Sequence, residues 1–250
     1  MRASKFEFRL RGLILTLFVI LGFWAPWLQT LDLGKRISLL EWLALEISRL
    51  GLLRFTYATP FVIVAGALVA AAGMVLRIAG TAYLGCGIVN DSGMRGLQLM
   101  TDGPYRYVRN PLYLGGWCMI AAISLLMPPT GALIAMVLVT LFFLRLTLAE
   151  ELFLESRFGA TYQQYKRMTP RFAPCLRTSL PRGTTNPHWL LAASTEIVSI
   201  GTFFTLAVLA WTYDNLLMIK AIIVSFGLSL VAQALVVGKG RPAHDGSDPA

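Results

Sequence analysis

The sequence predicts an all-α fold, a polytopic integral membrane protein with about six transmembrane helices, and three observations carry that prediction. Of the 250 residues, 56% are hydrophobic and 14% charged, whereas an ordinary soluble domain has about a quarter of its residues charged. Apolar runs near the length of about 20 residues that a bilayer crossing requires recur at 10–28, 56–79, 111–127, 131–149, 189–212 and 216–237. The basic residues then alternate with those runs. Arg2, Lys5, Arg9 and Arg11 precede the first, Arg95, Arg106 and Arg109 lie between the second and third, six more follow the fourth, and Lys239 and Arg241 end the chain. With both termini cytoplasmic, all these groups fall on the cytoplasmic side, as the positive-inside rule expects; the exception is 29–55, which this arrangement puts outside although it carries Lys35, Arg36, Arg49 and Arg54. The net charge of +9 therefore reports topology, and no nucleic-acid partner is expected.

The elements follow in chain order. Residues 1–55 are expected to form an anchor and an interfacial helix. The first apolar run reaches spanning length with no small-residue cleavage site after it, so it reads as retained rather than as a cleaved signal. The stretch SLLEWLALEISRLGLLR has apolar residues near helical spacing but three charges in its first twelve positions, which favours a helix lying in the interface over a span. Residues 56–187 read as the core. Within it, the third and fourth spans are separated only by PPT, so they form an antiparallel hairpin. Residues 188–237 supply a final pair of spans, and the polar tail 238–250 is expected to be disordered.

Several chemistries lack their residues. Cys86, Cys118 and Cys175 are odd in number and widely spaced, which suggests neither a disulfide framework nor a zinc site. With His188 and His244 the only histidines, neither a histidine-based metal centre nor a Ser-His-Asp triad is expected. A transporter would carry more polar groups in its spans than Arg145, Glu196 and Lys220.

Chemistry is left to two segments, 80–110 and 150–187, which flank the hairpin. A short turn makes its two open ends neighbours, so RYVRNP is expected beside AEELFLESRFGATYQQYKRMTPRFAP. In GPYRYVRNPLYLGG, Pro104 follows Gly103 in a turn and Pro111 opens a helix where a missing N–H costs little. That helix start, near Asn110 to Leu112 with Arg109 alongside, suits an anionic group. The alternative is that the arginines only enforce topology. Glu150 and Glu151 place negative charge at the end of a span that should favour cations. Two accounts stand: the helix runs on and Arg145 or Arg157 pairs with them, or they receive a ligand's ammonium or hydroxyls. Arg145 either snorkels or faces a polar cavity. Tyr162 and Tyr165 share a helical face, placed either to line an adenine pocket or to form an interfacial belt. Gly85-Cys86-Gly87 is a weak glycine signal outside any strand-to-helix turn.

Taken together, GPYRYVRNPLYLGG, the paired glutamates after the hairpin and the FGATYQQY helix resemble the isoprenylcysteine carboxyl methyltransferase family and its phospholipid methyltransferase relatives, over roughly residues 73–176. The resemblance implies an integral membrane enzyme, located in a bacterial inner membrane, that binds S-adenosylmethionine and methylates a lipid or prenylated acceptor. It implies a cofactor-binding set of Tyr105, Asn110, Pro111, Tyr113, Leu114, Gly115, Glu150, Glu151, Tyr162 and Tyr165, with Arg109 and Glu150 in catalytic roles. The family usually has histidine where this chain has Asn110, which can hydrogen-bond but cannot titrate. Isoprenylcysteine carboxyl O-methylation is the first expectation and phospholipid N-methylation the second. A sterol-type reductase using NADPH is the more distant one.

Overall fold

In the computed structural model, residues 3–24, 37–85, 99–175, 177–181, 183–212 and 220–231 are described. Cys86, Gly87, the start of the 29–55 segment, the turn near Asp214 and the 238–250 tail lie outside them. Every regular element among the described residues is helical. In chain order these are α1 (Lys5–Arg9), α2 (Arg11–Trp24), α3 (Leu39–Arg49), α4 (Phe55–Leu84), a 3-10 turn (Gly103–Arg106), α5 (Pro111–Ser124), α6 (Pro129–Met168), α7 (Trp189–Thr195), α8 (Ile197–Thr212) and α9 (Lys220–Val231).

Where they are described, the six apolar runs overlap helices, and fewer than six of those helices reach spanning length. Among the described residues, α4 and α6 are long and apolar enough to cross a membrane, with a third span if α7 and α8 form one bent by 71°. Hydropathy windows do not register a break, and Glu196 interrupts the fifth run. The first, third and sixth runs give shorter apolar helices, Arg11–Trp24, Pro111–Ser124 and Lys220–Val231.

The hairpin forms as expected, with shifted ends. Pro128 serves as N-cap and Pro129 as the first helical residue of α6, so part of the anticipated turn is helix; proline fits there because that N–H has no intrahelical partner. Helix α6 then continues for 40 residues, about 60 Å at 1.5 Å per residue and twice the hydrocarbon thickness of a bilayer. At Gly159 the backbone turns to φ 51°, ψ −123°, a region that only glycine adopts readily. This kink redirects the last turns of α6.

Helices α4 and α5 form the centre. They run antiparallel because Gly66, Gly73 and Gly80, spaced by seven, each meet successively earlier parts of the α5 hairpin arm: Leu125, Gly115 with Met119, and Leu112. A Cβ at Gly73 would stand 2.9 Å from the Gly115 carbonyl oxygen, so small residues here set how closely the backbones approach. Helix α2 packs on α6 through Phe18 against Phe142, ring centroids 5.8 Å apart. Helix α3 starts with a Ser38–Glu41 capping box and seats on the hairpin's turn, where Leu39 and Leu40 N–H groups donate to Met127 and Leu125 carbonyls at 2.7 and 2.9 Å. That leaves the opposite end of the hairpin, its base, for the motif segments.

Candidate active site at the hairpin base

The two motif segments are stitched together by backbone hydrogen bonds. Arg109 N–H donates to the Pro170 carbonyl at 2.9 Å, and Cys175 N–H to the Tyr107 carbonyl at 3.0 Å. The chain leaving α6 thus lies against RYVRNP, as the hairpin argument requires. Tyr165 makes the third tie, its hydroxyl donating to the Tyr105 carbonyl at 2.7 Å. Tyr162 and Tyr165 pack with buried Leu180, ring centroids 6.0 Å apart. The Gly159 kink is what turns these two tyrosines inward, and both are buried beneath the motif rather than lying in an exposed belt.

Glu151 is the hub. It is 4% exposed and accepts from Arg171 in two-pronged fashion, Nη2 to Oε2 at 2.8 Å and Nε to Oε1 at 3.1 Å. Asn110 Nδ2 donates to Oε1 at 3.3 Å, and Arg109 Nη1 stands 3.2 Å from the same oxygen. The continued helix removes the dipole objection to an acidic residue here. The partners are Arg109 and Arg171 rather than Arg145 or Arg157. Arg145 is taken by Glu7, Nη2 to Oε1 at 2.9 Å. Glu7 closes the capping box of α1 with Ser4, and these contacts, the Ser4 backbone N–H foremost and Arg145 next, hold its carboxyl below the usual range. Arg171 was not singled out from the sequence. Its only signal is its place just after Pro170, where the chain reverses.

Glu150 has different company. The Tyr113 hydroxyl donates to it, and Arg11 acts on it electrostatically. Tyr113 stands in the first turn of α5, which begins at Pro111 with Asn110 as N-cap. Leu114 and Gly115 follow, Gly115 buried against α4. Tyr105 is buried, with its hydroxyl donating to the Gly80 carbonyl at 3.4 Å; burial pushes that hydroxyl well above its ordinary pKa.

Arg109, Asn110 and Glu151 thus gather at the base of α5 and α6, with Tyr113 paired to Glu150 and Tyr165 tied to Tyr105. Arg109 holds two unfilled donors there. Its side chain is 10% exposed, yet Nε and Nη1 lack a hydrogen-bond partner, Nη1 being close to Glu151 but misaligned. A buried donor left open is costly unless something fills it. A buried guanidinium with donors lacking a hydrogen bond, a buried carboxylate held by a tyrosine hydroxyl, and aromatic rings nearby suit a zwitterionic ligand.

This arrangement defines a helical membrane protein with a polar site at one end of a hairpin. Residues 53–161, under half of the chain, match the family model described as phospholipid methyltransferase. The chain is also similar to protein-S-isoprenylcysteine O-methyltransferase of Schizosaccharomyces pombe, 36% identical over 80 residues. That match takes in 31% of this chain and 34% of the relative, so the chain spans about a third of the curated protein it matches. No solved structure matches. The family match includes Arg109, Asn110, Glu150 and Glu151, and ends before Tyr162, Tyr165 and Arg171.

Proposed function

We propose that the chain is an S-adenosylmethionine-dependent methyltransferase acting at the membrane on a lipophilic acceptor. The observation that carries this reading is the buried cluster of Arg109, Asn110 and Glu151, with Glu150 next to Glu151 on the chain and held by its Tyr113 donor, at the hairpin base inside the family-matched region. S-adenosylmethionine supplies a methyl group already activated on a cationic sulfur. The chain's own residues then have to bind, align and exclude water. Glu150 offers negative charge to a cationic centre, and the open N–H groups of Arg109 suit a carboxylate. Asn110 cannot exchange protons; with Nδ2 on Glu151 and on the Arg171 carbonyl at 3.3 Å, it fixes the hub's geometry. We place the hairpin base and both termini on the cytoplasmic side, because the basic residues gather there.

Two acceptor chemistries have support. The curated match favours a prenylated cysteine carboxylate, which is ionised at neutral pH and needs only orientation. The family description favours the amine of a phospholipid, which must lose a proton first, a task for Glu150. Calorimetry of the detergent-purified full chain with S-adenosylhomocysteine is expected to show saturable binding. Binding of NADPH with no heat from S-adenosylhomocysteine overturns the reading in favour of a reductase.

A further inference from the structure

A second cluster of ionised side chains lies away from the hub. Arg77, in α4, grips Glu196 at the break between α7 and α8, Nε to Oε2 at 2.6 Å and Nη2 to Oε1 at 2.8 Å. Ser199 Oγ donates to Oε2 at 2.8 Å and Thr81 Oγ1 to Oε1 at 3.1 Å. Ionisable groups within apolar helices are expensive and face a partner or a cavity. Glu196, 3% exposed, has its needs met. Arg77 does not, because Nη1 has no partner among the described residues and the side chain is 29% exposed.

The direction of that open edge is fixed by α5. Gly115 lets the Arg77 stem cross, since a Cβ there would stand 2.7 Å from Arg77 Cγ. Nη1 then lies 3.5 Å from where a Gly116 Cβ would be, with Phe143 Cζ at 3.2 Å from the same point. Phe143 packs on Tyr113, ring centroids 5.5 Å apart, and Tyr113 holds Glu150. Positions 113 and 116 share a helical face, so the open edge and the Tyr113 side chain that holds Glu150 lie on the same side of α5, both against Phe143. The two hydroxyl donors on Glu196 spread its charge and leave the guanidinium's other edge able to take a second oxygen.

We propose that Arg77, positioned by Glu196, anchors an anionic oxygen of the bilayer-borne acceptor, a carboxylate or a phosphate, beside Glu150; this rests on the methyltransferase reading. The test uses the full chain with N-acetyl-S-farnesylcysteine and its neutral methyl ester as probes. Wild type is expected to bind the acid about tenfold tighter than the ester, the worth of one charge-assisted hydrogen bond. Arg77→Lys is expected to abolish that preference while S-adenosylhomocysteine affinity stays unchanged, because a lysine head cannot serve Glu196 and a second oxygen in one plane. Gly116→Ala crowds the same edge with a single methyl and is expected to weaken the acid alone. Persistence of the full acid preference in both variants overturns the proposal. Competition by phosphatidylglycerol in nanodiscs identifies a phosphate as the occupant, and its failure to compete identifies a carboxylate. If wild type prefers the acid but ignores S-adenosylhomocysteine, the methyltransferase reading falls and the anion site stands.

Discussion

Glu151 and Glu196 are both buried carboxylates gripped by the two prongs of an arginine, yet their surroundings differ. Glu151 sits at the hairpin base where two chain segments cross, and it draws Arg171 from one of them and the adjacent Arg109 and Asn110 from the other. Glu196 sits at a helix break and draws one arginine, Arg77, from α4. The difference lies in what each carboxylate would abandon. Arg109 is pinned by its own backbone bond to Pro170 and cannot leave. Arg77 hangs from a long flexible stem and can snorkel. The first cluster therefore organises a site, and the second holds a single cation in position.

That contrast is broken most directly by removing each carboxylate. Losing one member of a buried pair costs about 3–5 kcal/mol. Glu151→Ala is expected near the low end, about 3 kcal/mol, because Arg171 is 37% exposed and finds water. Glu196→Ala is expected to cost less, about 2 kcal/mol, since Arg77 can move. In thermal melts in one detergent these correspond to falls of roughly 8 °C and roughly 5 °C. A larger fall for Glu196→Ala would make the Arg77–Glu196 pair the more important structural element and reverse the comparison.

How far each cluster could be read in the sequence follows the same divide. The motif segments were legible because a short proline turn forces the ends of a hairpin together, whatever the rest does. Glu150 and Glu151 stood out as acidic residues on a basic side. Their partners did not, because Arg145 and Arg157 are near in sequence while Arg171 arrives only after the chain reverses beyond Thr169. Arg77 went uncounted among the polar residues of the spans, and Glu196 was noted without a partner. Its partner lies 119 positions away, beyond any local pattern. The seven-residue spacing of Gly66, Gly73 and Gly80 was available as a signal for the α4–α5 crossing. The bend at Glu196 was not legible, because composition measures apolar length and not a break within it.

A finer comparison sets the two adjacent glutamates against each other. Glu151 is already satisfied by protein groups, whereas Glu150 has the Tyr113 hydroxyl as its hydrogen-bond donor. Glu150→Gln keeps a hydrogen-bond acceptor for Tyr113 but removes the charge. It is expected to leave the melting temperature nearly unchanged and to weaken S-adenosylhomocysteine binding about tenfold. Calorimetry and melts on the same sample check both. A large loss of stability with unchanged affinity would make Glu150 a structural residue like its neighbour.

The smallest expected effect concerns whether a buried carboxylate at this end needs an arginine's grip at all. Asp102, 8% exposed, accepts from the Gly183 N–H at 2.6 Å and the Thr185 N–H at 3.3 Å, tying the start of the motif to the segment before α7. Burial works against its ionised form, but the hydrogen bonds from Thr185 and Gly183, aided by Arg106, prevail and hold its carboxyl below the usual range. A group whose folded pKa is depressed contributes stability above its unfolded pKa, about 3.9 for aspartate, and loses it as pH falls through the folded value. Asp102→Asn removes that contribution at neutral pH. The gap in melting temperature between wild type and Asp102→Asn is therefore expected to be widest near pH 7 and to narrow as the pH drops below about 4. Comparing two proteins at each pH cancels what Glu7 and the other carboxylates contribute to both. A gap that stays constant with pH would mean that Asp102 acts through shape alone, and that only arginine-gripped carboxylates carry charge-dependent stability in this fold.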